Sequence, residues 1–532
     1  MTNTFTHNPQ KTLKLNPDNS PFFLLPALIL IVLQLYGGPH PGDDAYITYR
    51  YVKNLLNGNG FVYNPGESVL GTTTPLYTMI LAVLTFPFGL KYLLWISLLF
   101  NITCNLASLY FLRQIGKKLL PDNDLLLNSA LLLFALNPAI TIQTKLGMEP
   151  PLYILTALAA LYYISRDAIG KAACYSALHL LTRPDGLILA AAVSAYLILT
   201  APEKIGKYLL IILTLTLPWL VFAGYKFGSP IPQTLIAKSQ AYETYPWLFV
   251  KYYWRHLRRS FWGYFFKFWE VKEHAVSGAA VIFFIIIGLA NLKRTGFTYL
   301  FLAYPFAYLL IFIIANPLYA PRYIAPIEPF LIIFVLAGIY SALNWIVRNL
   351  AVSSFLKKPL TILTFSFIII SQFHHYNLIP AMWGKTDICR GTYDPAWLHP
   401  LDCPRQKMRE DLFRQTALYL NRYINENTSI ALPEIGTFGY YSKGRILDTV
   451  GLISPEAVNY YPLKKEQVMG NNAVPPGLIY ERQPEYIVTY EAFVKNSLVP
   501  EKRFQQMYTV FRSTAYFHFW GDDRVIVFKK RI

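Results

Sequence analysis

The chain has 532 residues, of which 54% are hydrophobic, 16% aromatic and only 15% charged, with a formal net charge of +18. Soluble domains carry roughly 25% charged residues, so this balance excludes an ordinary soluble globular protein. After residue 380 there are 20 Lys+Arg and 16 Asp+Glu, an excess of 4, so 14 of the +18 lies in short loops of the apolar part; that excludes a basic nucleic-acid-binding domain and fits the positive-inside pattern of a membrane protein.

Residues 1–20 are polar and read as a cytoplasmic tail. The first apolar run, about 22–36, has no small-residue cleavage site after it and reads as an uncleaved first span. A polar loop runs from 37 to about 74, followed by a short apolar piece, 75–90, that contains Pro87 and Gly89. Further spans are expected near 92–112, 125–142, 152–164, 172–181, 187–199, 208–223, 276–289, 297–314, 324–346 and 360–372, judged against the ~20 residues that cross a bilayer. If 75–90 spanned, the next basic loops would alternate to the outside. If it lies beside the membrane, the basic loops at 113–118, 166–171, 204–207, 293–294 and 348–358 all fall in the cytoplasm. Charge bias favours the second arrangement, which gives about eleven spans and an external C-terminus. The stretch 225–275 is dense in Tyr, Trp and Phe interleaved with Lys and Arg, the composition of a helix lying in the membrane interface.

From about residue 381 the chain turns polar and Pro-rich. An amphipathic helix is expected near 407–426 and β-strands at 429–433, 445–447, 486–490 and 525–529. The organisation is therefore a cytoplasmic tail (1–20), a polytopic α-helical membrane domain (21–380) with a first external loop at 37–90, and a mixed α/β extracytoplasmic domain (381–532), ~150 residues and ordinary in size. Cys104 and Cys174 fall in apolar runs. Cys389 and Cys403 fall in the tail, where they either close a short disulfide loop or remain free thiols.

The strongest chemical signal is Gly42-Asp43-Asp44-Ala45-Tyr46-Ile47, directly after the first span. Adjacent carboxylates at a membrane boundary are costly without a role or a partner. One of them can accept a proton from a hydroxyl, and like charges this close tend to raise one pKa. The same residues also suit a solvated acidic loop or a helix cap. Turn-rich Asn57-Gly58-Asn59-Gly60 and Asn64-Pro65-Gly66-Glu67 follow, then Gly71-Thr72-Thr73-Thr74-Pro75-Leu76-Tyr77, so the loop folds back rather than acting as a tether. Later external loops carry Gly147-Met148-Glu149, Arg183-Pro184-Asp185-Gly186 and Pro321-Arg322-Tyr323. Taken alone, Glu149 suits a helix N-terminus, Arg183 and Asp185 suit a local ion pair, and Arg322 suits an interfacial anchor.

Together these motifs resemble the GT-C glycosyltransferases, and within them the branch of terminal arabinofuranosyltransferases. The resemblance rests on Asp43 to Ile47, Arg50-Tyr51, Gly58 to Glu67, Thr73 to Tyr77, Gly147 to Leu152, Arg183 to Gly186 and Pro321 to Tyr323. In the tail it rests on Glu434 to Ser442 and on Asp448 with Gly451 to Glu456. It is weakest across 200–320. It implies a GT-C membrane fold of the bacterial inner (plasma) membrane and an inverting transferase using a polyprenyl-phosphate-linked sugar on the external face. It also implies a glycan, lipid or protein acceptor in the cell envelope, and membrane lipid but no nucleic acid as partners. By the same resemblance Asp43, Asp44 and Glu149 are catalytic, with Asp43 favoured as base for its nearness to the membrane, and Arg50, Arg183, Asp185, Arg322 and Tyr323 bind substrate. No His/Cys cluster is present. No tightly held metal is expected, although the aspartates leave room for a divalent cation. A flippase for a lipid-linked glycan is the competing reading from another class, but it predicts internal repeats and ionisable residues at the midplane, and neither is seen. An oligosaccharide transferase or ligase shares the architecture and is not separated from the first reading by sequence.

Overall fold

The structure is a computed structural model that describes residues 21–121, 123–242, 250–251, 253–254, 274–292, 294–315, 321–349, 354–375, 404–468, 473–518 and 521–531. Each apolar run expected to span becomes a helix, because only intrahelical hydrogen bonds satisfy a backbone in lipid. In chain order the membrane half holds α1 (Pro21–Leu35), α2 (Asp43–Leu56), α3 (Pro75–Thr85), α4 (Leu93–Leu119), α5 (Asp124–Ala135), α6 (Pro138–Lys145), α7 (Pro150–Ser165), α8 (Ile169–Thr182) and α9 (Leu187–Thr200). It continues with α10 (Ile205–Phe227), α11 (Gln233–Ala241), α12 (His274–Asn291), α13 (Gly296–Ala315), α14 (Glu328–Asn349) and α15 (Ser354–His375).

Five helical stretches are long and apolar enough to cross a bilayer: Leu90–Leu119, Asp124–Lys145, Pro202–Phe227, Gly296–Ala315 and Ala325–Asn349. The protein is thus a multi-pass membrane protein. Five more of the expected eleven spans fall on shorter apolar helices of 10–17 residues, and the one expected at 172–181 falls on α8, which is not among them. Helix α3, with 11 residues, reaches only ~16 Å against a ~30 Å core, too short to cross unaided. Most of the aromatic stretch at 225–275 lies outside the described residues, as do Cys389 and Cys403. Two helices cross closely because both lack a side chain at the crossing. A Cβ on Gly288 of α12 would stand 2.0 Å from the Phe334 carbonyl of α14, and one on Gly338 would stand 1.8 Å from the Phe284 carbonyl. Small residues at such crossings let helix backbones meet where no hydrophobic effect drives association.

The C-terminal part begins with α16 (Pro404–Leu420). It continues through β1 (Ser429–Leu432), α17 (Gly436–Tyr441), β2 (Arg445–Asp448), β3 (Tyr486–Tyr490), β4 (Tyr508–His518) and β5 (Gly521–Lys530). The sheet order is β2-β1-β3-β5-β4. Strand β1 pairs in parallel with β2 and β3, whereas β5 pairs antiparallel with β3 and β4. Strand β4 is not expected from the sequence. Its register slips between Val510 and Arg512, and it lies at the sheet edge, where a charged residue and an irregularity are tolerated. The expected helix at 407–426 is found shifted toward the N-terminus.

The two halves share a core. Ile47, Tyr51, Phe61, Tyr63 and Leu70 of the segment 37–90 pack with Ile430, Phe438, Ile446 and Ile453 of the sheet domain. Tyr440 in turn joins Tyr46, Tyr49 and Tyr77. Each large side chain buried in this seam is worth about 1.5–3 kcal/mol, enough that the loop and the sheet domain dock as one surface.

Candidate active site

Helix α2 starts at the adjacent carboxylates, in the first turn, where the helix dipole favours negative charge. Successive residues on a helix point about 100° apart, so the two carboxylates diverge. Asp43 is buried and turns to the sheet domain: Oδ2 accepts the Gly436 N–H at 2.9 Å and Oδ1 the Thr437 N–H at 2.7 Å. It lines no part of the cavity described next. Asp44 does line it and forms an ion pair with Arg322. Membrane proximity favours Asp43 as the base; helix rotation puts Asp44, and not Asp43, on the cavity wall.

The cavity has a volume of about 380 Å³. Charged groups on its wall are Asp44, Glu149, Arg183, Asp185, Lys238 and Arg322. Thr48, Thr72, Thr73, Thr74 and Thr234 form another part, and Ile311, Phe312 and Ala315 at the end of α13 form an apolar part. Leu452 reaches in from the sheet domain. A wall of charged and threonine residues beside an apolar one suits an amphiphile.

Arg183 is committed to its neighbours. Nη1 donates to Glu149 Oε1 at 2.9 Å, while Nε and Nη2 donate to the two oxygens of Asp185, both at 2.9 Å. Tyr308 donates to Asp185 Oδ2 at 3.2 Å. The guanidinium lies 5.2 Å from the ring centroids of both Tyr153 and Tyr323. Bidentate geometry and aromatic faces are the environment that guanidinium suits and ammonium does not. The expected Arg183–Asp185 pair is thus present and extended to Glu149. Glu149 is placed by Gly147, whose φ of +68° turns the chain and whose absent side chain makes room for the Tyr49 hydroxyl.

Arg322 lies 5.3 Å from the Tyr323 ring and faces Asp44. Burial opposes ionisation of Asp44, but the Arg322 guanidinium and then Lys238 hold its carboxyl well below the usual carboxylate range. Lys238, on α11, sits in the aromatic stretch and went unnoticed in the sequence because nothing distinguished it from other interfacial cations. Among the described residues no group of three His, Cys, Asp or Glu could hold a metal ion.

Arg50 does not line the cavity, contrary to the expectation that it binds substrate. It is buried in the seam, donating from Nε to the Tyr63 carbonyl at 2.8 Å, from Nη1 to the Gly439 carbonyl and from Nη2 to the Gly444 carbonyl at 3.4 Å. Nearby, Arg409 pairs with Glu410, and Glu434 completes an acidic group around that one guanidinium with Asp43. Burial pushes Glu434 up to about 8, against Arg409, which draws it down.

The whole chain superimposes on ArnT of Cupriavidus metallidurans bound to undecaprenyl phosphate with a TM-score of 0.55, covering 95% of this chain and 97% of that one at 12% identity. The apo state of the same protein gives a TM-score of 0.56 at 10% identity. The chain shares the fold of ArnT. A mycobacterial arabinofuranosyltransferase, AftD, shares this fold over 96% of the chain and 41% of its own length, with a TM-score of 0.50 and 11% identity. In sequence, the chain resembles terminal β-(1→2)-arabinofuranosyltransferases. It is 28% identical over 227 residues to that of Corynebacterium glutamicum and 27% identical over 221 residues to that of Mycobacterium tuberculosis. Each match takes in 37% of this chain, and only 33% and 35% of the relatives' own lengths. A family model described as a domain of unknown function (DUF8728) matches residues 402–528, the sheet domain.

Proposed function

We propose that this protein is a membrane glycosyltransferase that moves a sugar from a polyprenyl-phosphate donor to a hydroxyl of a cell-envelope acceptor, on the extracytoplasmic face. The observation that carries the reading is the cavity-facing Asp44–Arg322 pair with Lys238 beside it. The likeness to a GT-C protein bound to undecaprenyl phosphate and to arabinofuranosyltransferases supports the donor class.

In this reading the donor phosphate rests against Arg322 and Lys238, the sugar against the threonine wall and the first prenyl units against Ile311, Phe312 and Ala315. A phosphate that takes hydrogen bonds from Arg322 loosens its hold on Asp44, whose carboxylate then regains basicity. Asp44 accepts the proton of the acceptor hydroxyl as that oxygen bonds to the anomeric carbon. The bond from that carbon to the phosphate oxygen breaks, and the lipid phosphate leaves with the electron pair, stabilised by the two cations. One displacement inverts the anomeric centre. Arg183 holds Glu149 and Asp185 at the cavity wall, where their remaining lone pairs can orient sugar or acceptor hydroxyls. Tyr323 gives Arg183 and Arg322 a common aromatic floor. The bound sugar and acceptor are proposed only as classes, with a pentofuranose as the first candidate.

The test is transfer from synthetic polyprenyl-phosphate sugars by purified protein in lipid nanodiscs. Asp44→Asn is expected to lower kcat ~10²- to 10⁴-fold, the usual worth of a general base. Full turnover by Asp44→Asn would remove the base assignment, and sugar-linked lipid crossing vesicles without being consumed would replace the transferase with a flippase.

A further inference from the structure

The bonds that join the first external loop to the sheet domain converge on one short stretch, residues 435–446. Lys53 Nζ donates to the Tyr440 carbonyl at 2.9 Å and Tyr63 Oη to the Ile435 carbonyl at 2.5 Å. Asn64 closes a two-way pair with the backbone of Ile446, donating at 2.8 Å and accepting at 3.2 Å. At the N-terminal end of this stretch stands Asp43, with both carboxylate oxygens taken by the Gly436 and Thr437 N–H groups. Charge-assisted bonds of this kind are roughly twice as strong as neutral ones.

Two surfaces are shaped for this contact. A Cβ on Gly436 would stand 1.8 Å from the Asp43 carbonyl oxygen and 2.6 Å from its Oδ2, so only glycine lets the strands of chain approach. Thr437 is held from its other side, its hydroxyl donating to Glu410 Oε2 at 2.5 Å. Beyond the seam, the buried Asp448 carboxylate accepts the N–H groups of Val450 at 2.8 Å and Ile453 at 3.1 Å, and also that of Leu452. That loop carries Leu452 to the cavity wall and packs Ile453 on Gly71, next to Thr72 to Thr74. The cavity wall is therefore assembled from both halves, and among the contacts that join them one is made by the residue directly before Asp44.

We infer that Asp43 is a positioning residue, not the base: its carboxylate clamps the Gly436 and Thr437 amides so that the sheet domain closes the cavity and fixes the first turn of α2, hence Asp44. The effect of Asp43 on transfer runs through Asp44 and Leu452. This assignment rests on the proposed transfer for its kinetic consequence, but its structural consequence can be read without any substrate.

The experiment compares full-length wild type, Asp43→Asn and Gly436→Ala in nanodiscs, by hydrogen exchange of the segment 436–442 and by transfer kinetics over pH. Asn places an NH₂ or a weaker acceptor against the two amides; Ala breaks the same contact from the other side with Asp43 intact. Both variants are expected to raise exchange in 436–442 at least ~10-fold and to lower kcat at least ~10-fold. The acidic limb of the pH profile stays where Asp44 puts it. Loss of transfer in Asp43→Asn with unchanged exchange would make Asp43 a catalytic group and overturn the inference. Raised exchange with full transfer would overturn it too, by leaving the clamp without a role in the reaction. If wild type transfers no sugar, the proposed function fails while the exchange arm still decides the clamp.

Discussion

At the scale of single residues, the decisive contrast is between cations that are spent and cations that are available. Arg183 has its guanidinium edges on Glu149 and Asp185, with side-chain exposures of 7%, 6% and 17%. Removing one member of a buried ionic group leaves uncompensated charge, at a cost of about 3–5 kcal/mol. Arg183→Met is therefore expected to lower the thermal unfolding midpoint measured in detergent. Arg183→Lys should recover little of the loss, because an ammonium cannot make the bidentate contact with Asp185 and still reach Glu149. Lys238→Ala touches no such group. It is expected to raise KM for the lipid donor and to lower kcat, with little change in unfolding temperature. The acidic and arginine motifs were legible as residues in the sequence; which of them face the cavity was not, since a rotation of one residue along α2 exchanges Asp43 for Asp44. Arg50 shows the same limit: its place in a motif said nothing about the side of the loop it faces.

At the scale of elements, the first half of α16 and the turn before α17 gather Asp43, Glu410 and Glu434 around Arg409. Burial raises Glu434 to about 8 from an ordinary 4.5, and Asp43 and Glu410 are also raised. Between those two values the folded protein holds the Glu434 proton and the unfolded chain does not. The unfolded state then binds fewer protons, and stability falls as pH rises from about 4.5 to about 8. Thermal unfolding of wild type should show that decline, and Glu434→Gln should flatten it. An equal slope in the variant would assign the pH dependence elsewhere. The strands at β1, β2, β3 and β5 were readable from β-branched, apolar runs bounded by turns. Strand β4 was not, because an edge strand carries Arg512 and a register slip where a central strand would carry an unbroken apolar face.

At the scale of the whole molecule, the proposed orientation puts the loop before α10 and the sheet domain on opposite sides of the membrane. Glu203→Cys and Lys465→Cys are both at exposed positions and serve as reporters. An impermeant thiol reagent applied to intact cells should label Lys465→Cys, and Glu203→Cys only after permeabilisation, each above the background of the 4 native cysteines. The reverse pattern would invert the topology. Apolar runs specify directly which segments enter lipid, because transfer from water to lipid depends on composition and length rather than on partners; loop charge is the ground for the proposed orientation. The sequence alone therefore determined the membrane class, the helix positions, the sheet domain and the set of residues from which a site could be built. Only the tertiary structure decided that Asp44 faces the cavity, that Arg183 is already paired, that Lys238 joins Arg322 and that Asp43 and Arg50 belong to the seam. The physical reason is that these roles depend on helix rotation and on backbone N–H and carbonyl groups some 390 residues away, and neither leaves a mark in local composition.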